Sequence, residues 1–192
     1  MIRFGYLLAA AVAVIALGGL PILSPTPTLI WNTSASAPVG LYTVGSRDDL
    51  AVGEWVAVAP PAALAAWLER RGYLPRGVPL IKRIAARPGQ RVCRHGAIVS
   101  IDGKAVARAQ ARDRRGRVLP RWAGCRRLAD GMLFLLNRDH PDSLDGRYFG
   151  PVSARAVLGR VRAIYTDDDA DGHYDWHGFG RDEAPRLPSD ER

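Results

Sequence analysis

An uncharged apolar stretch near the amino terminus constrains this chain most. Residues 4–23 read FGYLLAAAVAVIALGGLPIL, twenty residues without a charged side chain. A helix rises about 1.5 Å per residue, so this length spans roughly 30 Å, the hydrocarbon thickness of a bilayer. Arg3 and the amino terminus are the only cations before it, which favours an amino terminus inside and a domain outside. The sequence therefore predicts a single transmembrane helix within residues 1–23.

A cleaved secretory signal is the alternative interpretation of this segment. Its best small-residue cleavage site is Ala35-Ser36-Ala37, where cleavage would divide a serine-containing segment described below. We therefore favour an uncleaved anchor. The prolines that follow it form a stiff, extended connector, and we assign residues 24–31 to a juxtamembrane linker.

Arginine supplies almost all of the positive charge. The net charge is +8 at pH 7, and Lys82 and Lys104 are the only lysines among 27 Lys and Arg residues. Heavy use of arginine is most simply a compositional bias of the genome, so the charge alone is weak evidence for nucleic-acid binding. We expect no nucleic-acid partner, and each lysine becomes a position to examine.

Alternation of apolar and polar residues predicts a mainly β domain over residues 32–166, with irregular antiparallel pairing and one short helix. The helix covers residues 62–71, where Leu64, Trp67 and Leu68 share one face. Asp102-Gly103 lies between two strand-like segments, which is typical of a tight hairpin. The predicted strands cover residues 41–44, 54–58, 78–84, 97–101, 104–106, 132–136 and 157–165.

Two stretches lack such a pattern. Residues 108–127 are basic and poor in apolar side chains, so we predict a surface excursion there. Residues 167–192 are acidic and polar, and we interpret them as a poorly ordered tail.

The two cysteines, Cys93 and Cys125, have 31 residues between them and belong to no CxxC motif. In a domain outside the cytoplasm, a single disulfide is the natural interpretation. Closing a loop of this length contributes on the order of 3–4 kcal/mol to stability. The sequence leaves the pairing open.

Residues 32–42, NTSASAPVGLY, form a short segment of small residues that contains Ser34 and Ser36. Pro38 and Gly40 favour a turn in the backbone that follows. On its own the segment is typical of a polar linker beside a membrane. A serine hydroxyl becomes a nucleophile only when a base lies beside it, so a catalytic function depends on the rest of the chain.

Two kinds of base are available to such a serine. A Ser–His–Asp arrangement would use His140 and is the alternative. Lys82 lies among apolar residues, and burial there lowers the pKa of an amine from about 10.4 by roughly three units. Arginine stays protonated and has no such use. The scarcity of lysine favours Lys82 as the base, whereas Lys104 follows a turn and is expected to be solvated.

Residues 137–150, NRDHPDSLDGRYFG, are dense in polar groups and follow a strongly apolar strand. A purely structural interpretation is a tight turn braced by a pair between Asp145 and Arg147. A functional role is compatible with it, since Ser143 can hydrogen-bond the amine of a catalytic lysine.

These segments resemble, in order, the conserved boxes of type I signal peptidases. They are residues 36–42 (SAPVGLY), 53–56 (GEWV), 82–84 (KRI) with 88–89 (PG), and 137–139 (NRD) with 143–150 (SLDGRYFG). Proline two residues after the serine, followed by x-Gly-x-Tyr, is similar to the TraF-type branch, the conjugative-transfer peptidases that mature a pilin. Asp-Gly-Arg-Tyr-Phe-Gly is similar to the same branch. The resemblance extends from the anchor to about residue 165.

The resemblance implies a catalytic dyad. Ser36 matches the nucleophile and Lys82 the general base. Ser34 matches the hydroxyl that, together with the Ser36 backbone N–H, forms an oxyanion hole.

The resemblance also implies supporting residues. Ser143 matches the residue that orients the lysine, and Asp145 and Arg147 match the supporting pair, of which Asp145 is important in the TraF branch. Two positions depart from the pattern: Ala37 stands where the family often has methionine, and Gly146 replaces a serine common in general signal peptidases. The polar block is also longer than in those enzymes.

The implied protein is a signal-peptidase-like antiparallel β domain behind a single membrane helix. It would be a serine endopeptidase that cleaves a conjugative pilin precursor after small residues, with water or the substrate's own amino terminus resolving the acyl-enzyme. Expected partners are the precursor pilin or another exported protein, the bacterial inner membrane and the conjugative transfer apparatus. The catalytic domain would be periplasmic, and no cofactor or metal is expected. A general leader peptidase is one alternative, and a non-catalytic periplasmic scaffold or basic binding module is another.

Overall fold

A computed structural model of the protein describes residues 28–179, together with the isolated positions 6, 11, 12 and 14. Most of the predicted anchor, the connector at 24–27 and the last part of the predicted tail lie outside the described residues. Within the part that is described, no helix has the length and apolar character needed to cross a bilayer.

Antiparallel strands are the main secondary structure of the described residues, as predicted. One nine-residue helix, α1 (Ala62–Arg70), is accompanied by single turns at Gly146–Phe149 (α2) and Ala154–Ala156. The strands are β1 (Leu29–Asn32), β2 (Val39–Val44), β3 (Trp55–Val58), β4 (Leu80–Ala86), β5 (Arg91–His95), β6 (Ile98–Ile101), β7 (Lys104–Arg108), β8 (Gly124–Arg127), β9 (Met132–Leu135), β10 (Val152–Ser153), β11 (Val157–Asp167) and β12 (Asp175–Trp176).

The larger of the two sheets has eight strands in the order β1-β2-β11-β3-β4-β9-β10, with β12 added beside β11. Strands β2 and β3 are neighbours in sequence but do not pair, because the eleven-residue β11 lies between them. This arrangement places β1, which leads into the serine segment, at one edge of the sheet. Strand β4, which carries Lys82, lies near the other side.

The smaller sheet has the order β7-β6-β5-β8. Its β6–β7 hairpin turns at Asp102 and Gly103, whose φ angles are +49° and +84°. A two-residue turn with both central residues at positive φ is the type that matches the twist of the strands. The predicted hairpin is confirmed.

Strand β9 joins the two sheets through its alternating side chains. Leu133 and Leu135 pack with the core of the large sheet, whereas Phe134 and Leu136 pack against the small sheet. A strand that is buried on both faces has a continuously apolar sequence, which explains the run MLFLL at residues 132–136. This rigid strand leads directly into the polar block that starts at Asn137.

The predicted surface excursion at residues 108–127 is wrong in part. Gly124–Arg127 forms β8 and pairs with β5, and Leu119 is buried against Tyr148. All four residues of β8 are exposed, so no apolar alternation marks this strand in the sequence. Its backbone pairing, rather than side-chain burial, places it in the sheet.

Cys93 and Cys125 are directly opposite each other in the β5–β8 pair, with their Cα atoms 4.0 Å apart. Their sulfur atoms form a disulfide bond. The bond ties the otherwise exposed strand β8 to the core strand β5.

The strands extend past both predicted boundaries of the domain. Residues 29–31, assigned to a linker, belong to strand β1. Residues 167–179, assigned to a poorly ordered tail, turn back so that β12 pairs with β11. The turn is closed by the carboxylate of Asp167, which accepts hydrogen bonds from the backbone N–H groups of Asp171 and Gly172 at 3.1 and 3.0 Å. Aspartate favours such local bonds to the backbone, so an acidic composition here does not prevent order.

Candidate active site

Ser36 and Lys82 meet in the fold. Lys82 Nζ lies 2.7 Å from Ser36 Oγ, within hydrogen-bond distance. Ser36 is on the loop between β1 and β2, and Lys82 is on β4 with only 2% of its surface exposed. The two side chains therefore meet at the boundary between a surface loop and the protein interior.

The environment of Lys82 favours its neutral form. Burial lowers the pKa of Lys82 from 10.5 to about 8, because an ammonium group loses its hydration there. The negative charge of Asp145 partly offsets this effect, and the positive charge of Arg147 adds to it. About a tenth of the amine is thus unprotonated at pH 7, far more than for a solvated lysine, and this is the form that a general base requires.

Ser143 is the second polar neighbour of the amine. Its hydroxyl oxygen accepts a hydrogen bond from Lys82 Nζ at 3.1 Å, and the residue is only 3% exposed. Two fixed partners restrict the direction in which the amine points. When one N–H of the neutral amine bonds Ser143, the nitrogen lone pair is free to accept the proton of Ser36.

Asp145 and Arg147 form a buried ion pair behind this site. Arg147 Nη2 lies 2.8 Å from Asp145 Oδ2, and Arg147 Nε lies 2.9 Å from Asp145 Oδ1. The guanidinium also donates to backbone carbonyls of the polar block, namely those of Asn137, His140, Pro141 and Ser143. The hydrogen bonds of the Asp145 carboxylate go to Arg147 and to the Asn137 backbone N–H. Asp145 therefore acts on the Lys82 amine through its negative charge and through its bonds that shape the polar block.

Ser34 lies next to Ser36. Their hydroxyl oxygens are 3.0 Å apart, and the Ser36 backbone N–H points at Ser34 Oγ from 3.4 Å. A hydroxyl and a backbone N–H on the same side of a serine are two donors that a developing oxyanion can use. All six of the residues predicted to serve in or support catalysis thus lie in one connected neighbourhood.

A cleft of about 370 Å³ opens beside Ser36. Its walls come from three segments, residues 30–36, residues between 68 and 81, and residues 140–144, with Arg114 at the rim. The apolar residues of these walls include Ile30, Trp31, Leu68, Leu74, Val78, Pro79, Leu80, Ile81 and Leu144. A cleft with apolar walls and a nucleophile at one side suits an extended peptide with small or apolar side chains.

His140 also lines this cleft, so the alternative base can be compared directly. Partial burial is the main reason that the pKa of His140 lies below its usual value. Within residues 28–179, however, the hydrogen bonds of Ser36 Oγ go to Lys82 and Ser34, not to an imidazole. The geometry favours lysine over histidine as the partner of Ser36.

Comparison with known proteins agrees with the motifs. The family model described as signal peptidase, peptidase S26, matches residues 1–166. The chain belongs to the peptidase S26 family.

Curated relatives of this S26 protein carry the name TraF. The conjugal transfer protein TraF of Agrobacterium fabrum is 39% identical over 149 residues, covering 71% of this chain and 82% of the relative. A probable conjugal transfer protein TraF of Sinorhizobium fredii is 35% identical over 145 residues, covering 70% and 76%. A plasmid transfer protein TraF of Escherichia coli is 30% identical over 145 residues, covering 70% and 81%. The predicted resemblance to signal peptidases of the TraF type is confirmed.

A solved structure was also found. The crystal structure of a signal peptidase I from Enterococcus faecalis V583 aligns with 59% of this chain and 97% of that chain, at 19% identity and a TM-score of 0.36.

One departure from the signal peptidase pattern has a steric explanation. A Cβ atom at Gly146 would lie 2.6 Å from a ring carbon of Phe134 and 2.7 Å from the carbonyl oxygen of Leu135. Both distances are shorter than real contacts, and one of the neighbours is backbone. This S26 protein therefore has room only for glycine between Asp145 and Arg147. Ala37, the other departure, is 2% exposed and packs beside Ile81.

Two asparagines organise the S26 site through hydrogen bonds to backbone groups of the serine loop and of the lysine strand. Asn32 Nδ2 donates to the carbonyls of Ser34 and Pro38 at 2.9 Å and of Ala37 at 3.1 Å. Its Oδ1 accepts the Ser34 N–H at 3.0 Å. Asn32 thus closes the serine loop from inside, which Asn at the start of a small-residue segment only weakly suggests.

Asn137 connects the loop to the lysine strand. Its Nδ2 donates to the carbonyls of Ser36 and Ile81, and its Oδ1 accepts the Arg83 N–H at 2.9 Å. One side chain therefore joins the backbone beside the nucleophile to the backbone on both sides of Lys82. Its position as the first residue of the NRD motif, at the start of the polar block, is the sequence feature that could have identified it.

One group in the described part of the chain has the atom spacing of a metal site, Cys93, His95 and Cys125, whose ligand atoms lie within 4.8 Å. Both sulfur atoms are bonded to each other. A disulfide sulfur carries no thiolate charge and is not a ligand for zinc.

Proposed function

We propose that this protein is a membrane-anchored serine endopeptidase in which Ser36 is the nucleophile and Lys82 the general base. The observation that carries the proposal is the 2.7 Å contact between Lys82 Nζ and Ser36 Oγ, made by a lysine whose pKa burial lowers from 10.5 to about 8. A solvated lysine would be protonated and unable to take a proton.

The first half of the reaction forms an acyl-enzyme. Neutral Lys82 takes the proton of Ser36 while Ser36 Oγ attacks the peptide carbonyl carbon. The oxyanion of the tetrahedral intermediate accepts hydrogen bonds from the Ser36 backbone N–H and the Ser34 hydroxyl. The ammonium of Lys82 then gives its proton to the leaving nitrogen, and the C–N bond breaks.

The second half releases the acyl group. A water molecule, or the free amino terminus of the substrate itself, loses a proton to Lys82 and attacks the ester. The Ser36 oxygen leaves and regains the proton from Lys82. Water gives a linear product, and attack by the amino terminus gives a cyclic product that is lighter by one water.

We propose a precursor pilin of a conjugative system as the substrate. The relatives named conjugal or plasmid transfer protein TraF support a role in conjugal transfer, and family S26 supports the cleavage of an exported protein. The uncharged segment at residues 4–23 supports an anchor in the inner membrane, with the catalytic domain on the periplasmic side.

The test uses the full chain in detergent, mixed with the pilin precursor from the same conjugative system. We expect the wild type to shorten the precursor, as detected by mass spectrometry, and Ser36→Ala and Lys82→Met to leave it intact. Two matched controls replace the same residue types elsewhere: Ser100→Ala and Lys104→Met. Precursor processing by Ser36→Ala at the wild-type rate would overturn the proposal.

The substrate class has a separate test. A strain depleted of its own leader peptidase is supplied with this protein. Growth rescue would identify a general leader peptidase, whereas processing of the pilin precursor without rescue supports a dedicated peptidase.

A further inference from the structure

A row of exposed aromatic side chains crosses one face of the large sheet. Trp31 is directly opposite Leu41, Leu41 is opposite Tyr165, and Tyr165 is opposite Trp176. These four residues come from β1, β2, β11 and β12, so they lie side by side across four strands. We call Trp31, Tyr165, Trp176 and the adjacent Tyr174 the aromatic row.

The rings of the aromatic row contact one another and remain open to solvent. Tyr174 stacks on Trp31 and Tyr165, with ring centroids 6.1 and 5.1 Å apart. Trp31 is 50% exposed, Tyr165 39% and Trp176 63%. Phe179 continues the row beyond Trp176 and is 75% exposed. Stacked rings that hold each other in place form a ready binding surface, since little side-chain entropy is left to lose.

The aromatic row begins at the cleft. Trp31 is part of the cleft wall, together with the loop that carries Ser36. Among the described strands β1 is the last of its sheet, so nothing in that sheet separates the row from the cleft. A polypeptide that leaves the cleft beside Trp31 can continue along the rings.

Half of the aromatic row lies outside the family domain. The S26 family model ends at residue 166, and Tyr174, Trp176 and Phe179 all follow it. The pairing of β12 with β11 brings Trp176 beside Tyr165 and so adds these rings to the row that starts at Trp31. The residues that follow residue 166 thus extend the exposed aromatic surface that begins at Trp31, in the wall of the cleft.

The charge beside the aromatic row points to the kind of partner. Five aspartates fall within residues 167–175, and Asp169, Asp171 and Asp175 are exposed. Such a cluster is repelled by an anionic lipid surface and attracts basic groups. Aromatic rings beside carboxylates suit a peptide that carries apolar and basic side chains, because the rings also bind cations.

We propose that the aromatic row is an exosite that binds an apolar and basic segment of the precursor, next to the residues held in the cleft. This inference rests on the proposed function, since the cleft must hold the cleaved segment. The exosite would select a precursor by a region that the chemistry at Ser36 does not touch.

The test measures binding with the full-length Ser36→Ala chain, which holds a peptide without cleaving it. One fluorescent peptide contains only small residues that fill the cleft. Two longer peptides add leucine, tryptophan and arginine residues on its amino or carboxyl side. We expect one of the longer peptides to bind more tightly than the short one. Trp176→Ala with Tyr174→Ala should reduce its affinity about tenfold, a typical effect of removing aromatic anchors.

Val52→Ala is the matched control, because Val52 is an exposed apolar residue on a different loop, 52% accessible. It should bind the long peptide as tightly as the parent chain. Circular dichroism checks that the aromatic variant is folded. Equal affinity for the short and long peptides in the parent chain would overturn the exosite.

Two further outcomes separate the exosite from the peptidase proposal and from a lipid-contact surface. If wild-type protein binds the long peptide at the aromatic row but cleaves none of the peptides, the exosite stands and the peptidase proposal fails. If the double variant instead loses binding to phosphatidylglycerol vesicles and keeps its affinity for the long peptide, the row is a lipid-contact surface and the exosite is wrong.

Discussion

The side-chain amide of Asn137 donates a hydrogen bond to the backbone carbonyl of Ser36, a residue 101 positions earlier in the chain. The same side chain binds the backbone on both sides of Lys82. It therefore controls the separation of the hydroxyl and the amine without contacting either group. In the proposed mechanism Asn137 is a positioning residue, and catalysis depends on it through geometry.

Replacing Asn137 should lower turnover more than substrate binding. In Asn137→Ala the Ser36 loop loses its link to β4, and a misplacement of about 1 Å at a reacting group costs roughly a hundredfold in rate. We expect kcat to fall by about that factor with KM little changed, measured on the precursor. Gln110→Ala removes an exposed amide that bonds Asp142 and is the control. A pure rise in KM would contradict a positioning role.

The pH profile should report the amine of Lys82. Because burial lowers its pKa to about 8, the base form is lost below that pH, and kcat/KM should fall about tenfold per pH unit there. Above pH 8 the rate should level off. Lys82→Arg should be inactive at every pH, since a guanidinium stays protonated, whereas Lys104→Arg should keep the wild-type profile. A rate that is flat from pH 6 to 9 would exclude Lys82 as the base.

The same pKa shift makes stability depend on pH. The unfolded amine titrates near 10.5 and the folded one near 8, so between these values the unfolded state binds more protons. Stability should therefore rise as the pH rises through this window, and the gain should be absent in Lys82→Met. Urea unfolding at pH 7.5 and 10 measures the difference.

Removing the Ser143 hydroxyl should leave the Lys82 amine less well oriented toward Ser36. Ser143→Ala leaves Lys82 with Ser36 as its remaining hydroxyl partner and removes an acceptor that also stabilises the ammonium form. We expect kcat to drop by about tenfold to a hundredfold, and the midpoint of the pH profile to move to lower pH. Ser100→Ala should change neither quantity. An unchanged midpoint together with full activity would show that Ser143 does not orient the base.

Breaking the ion pair between Asp145 and Arg147 should destabilise the fold. Both side chains are buried, at 0% and 1% exposure, and removing one partner of such a pair typically costs about 3–5 kcal/mol. Asp145→Asn and Arg147→Met should each lower the free energy of unfolding by that order. The double variant should lose less than the sum, because no unpaired charge is left. Additive losses would show that the two residues act independently.

The disulfide should support stability rather than chemistry. Neither Cys93 nor Cys125 lines the cleft. Changing both to serine should lower the free energy of unfolding by about 3–4 kcal/mol. Turnover well below the melting temperature should stay at the wild-type level. A loss of activity in a folded double variant would show that the disulfide also influences the active site, contrary to this prediction.

Local features were the most predictable parts of the fold. Helix α1 follows from the shared face of Leu64, Trp67 and Leu68, and the β6–β7 hairpin follows from Asp102-Gly103. In both cases neighbouring residues interact with one another, so the information is contained in a short window. Strand β8 and the order of residues 167–179 were missed, because backbone pairing with distant strands holds them without an apolar pattern.

By itself, the sequence determined which chemical groups are available: a serine in a small-residue loop, a lysine among apolar neighbours and a polar block after a buried strand. Their order along the chain was enough to indicate the family. Tertiary structure alone decided that Lys82 is desolvated and that it meets Ser36, a residue 46 positions away. It also decided that the Asp145 carboxylate bonds Arg147 and the Asn137 backbone rather than the amine. The reason is physical, because desolvation and side-chain distance depend on all the chain segments that pack around a group. Asn32, Asn137 and the aromatic row acquire their roles in the same way, from partners that only the folded chain brings together.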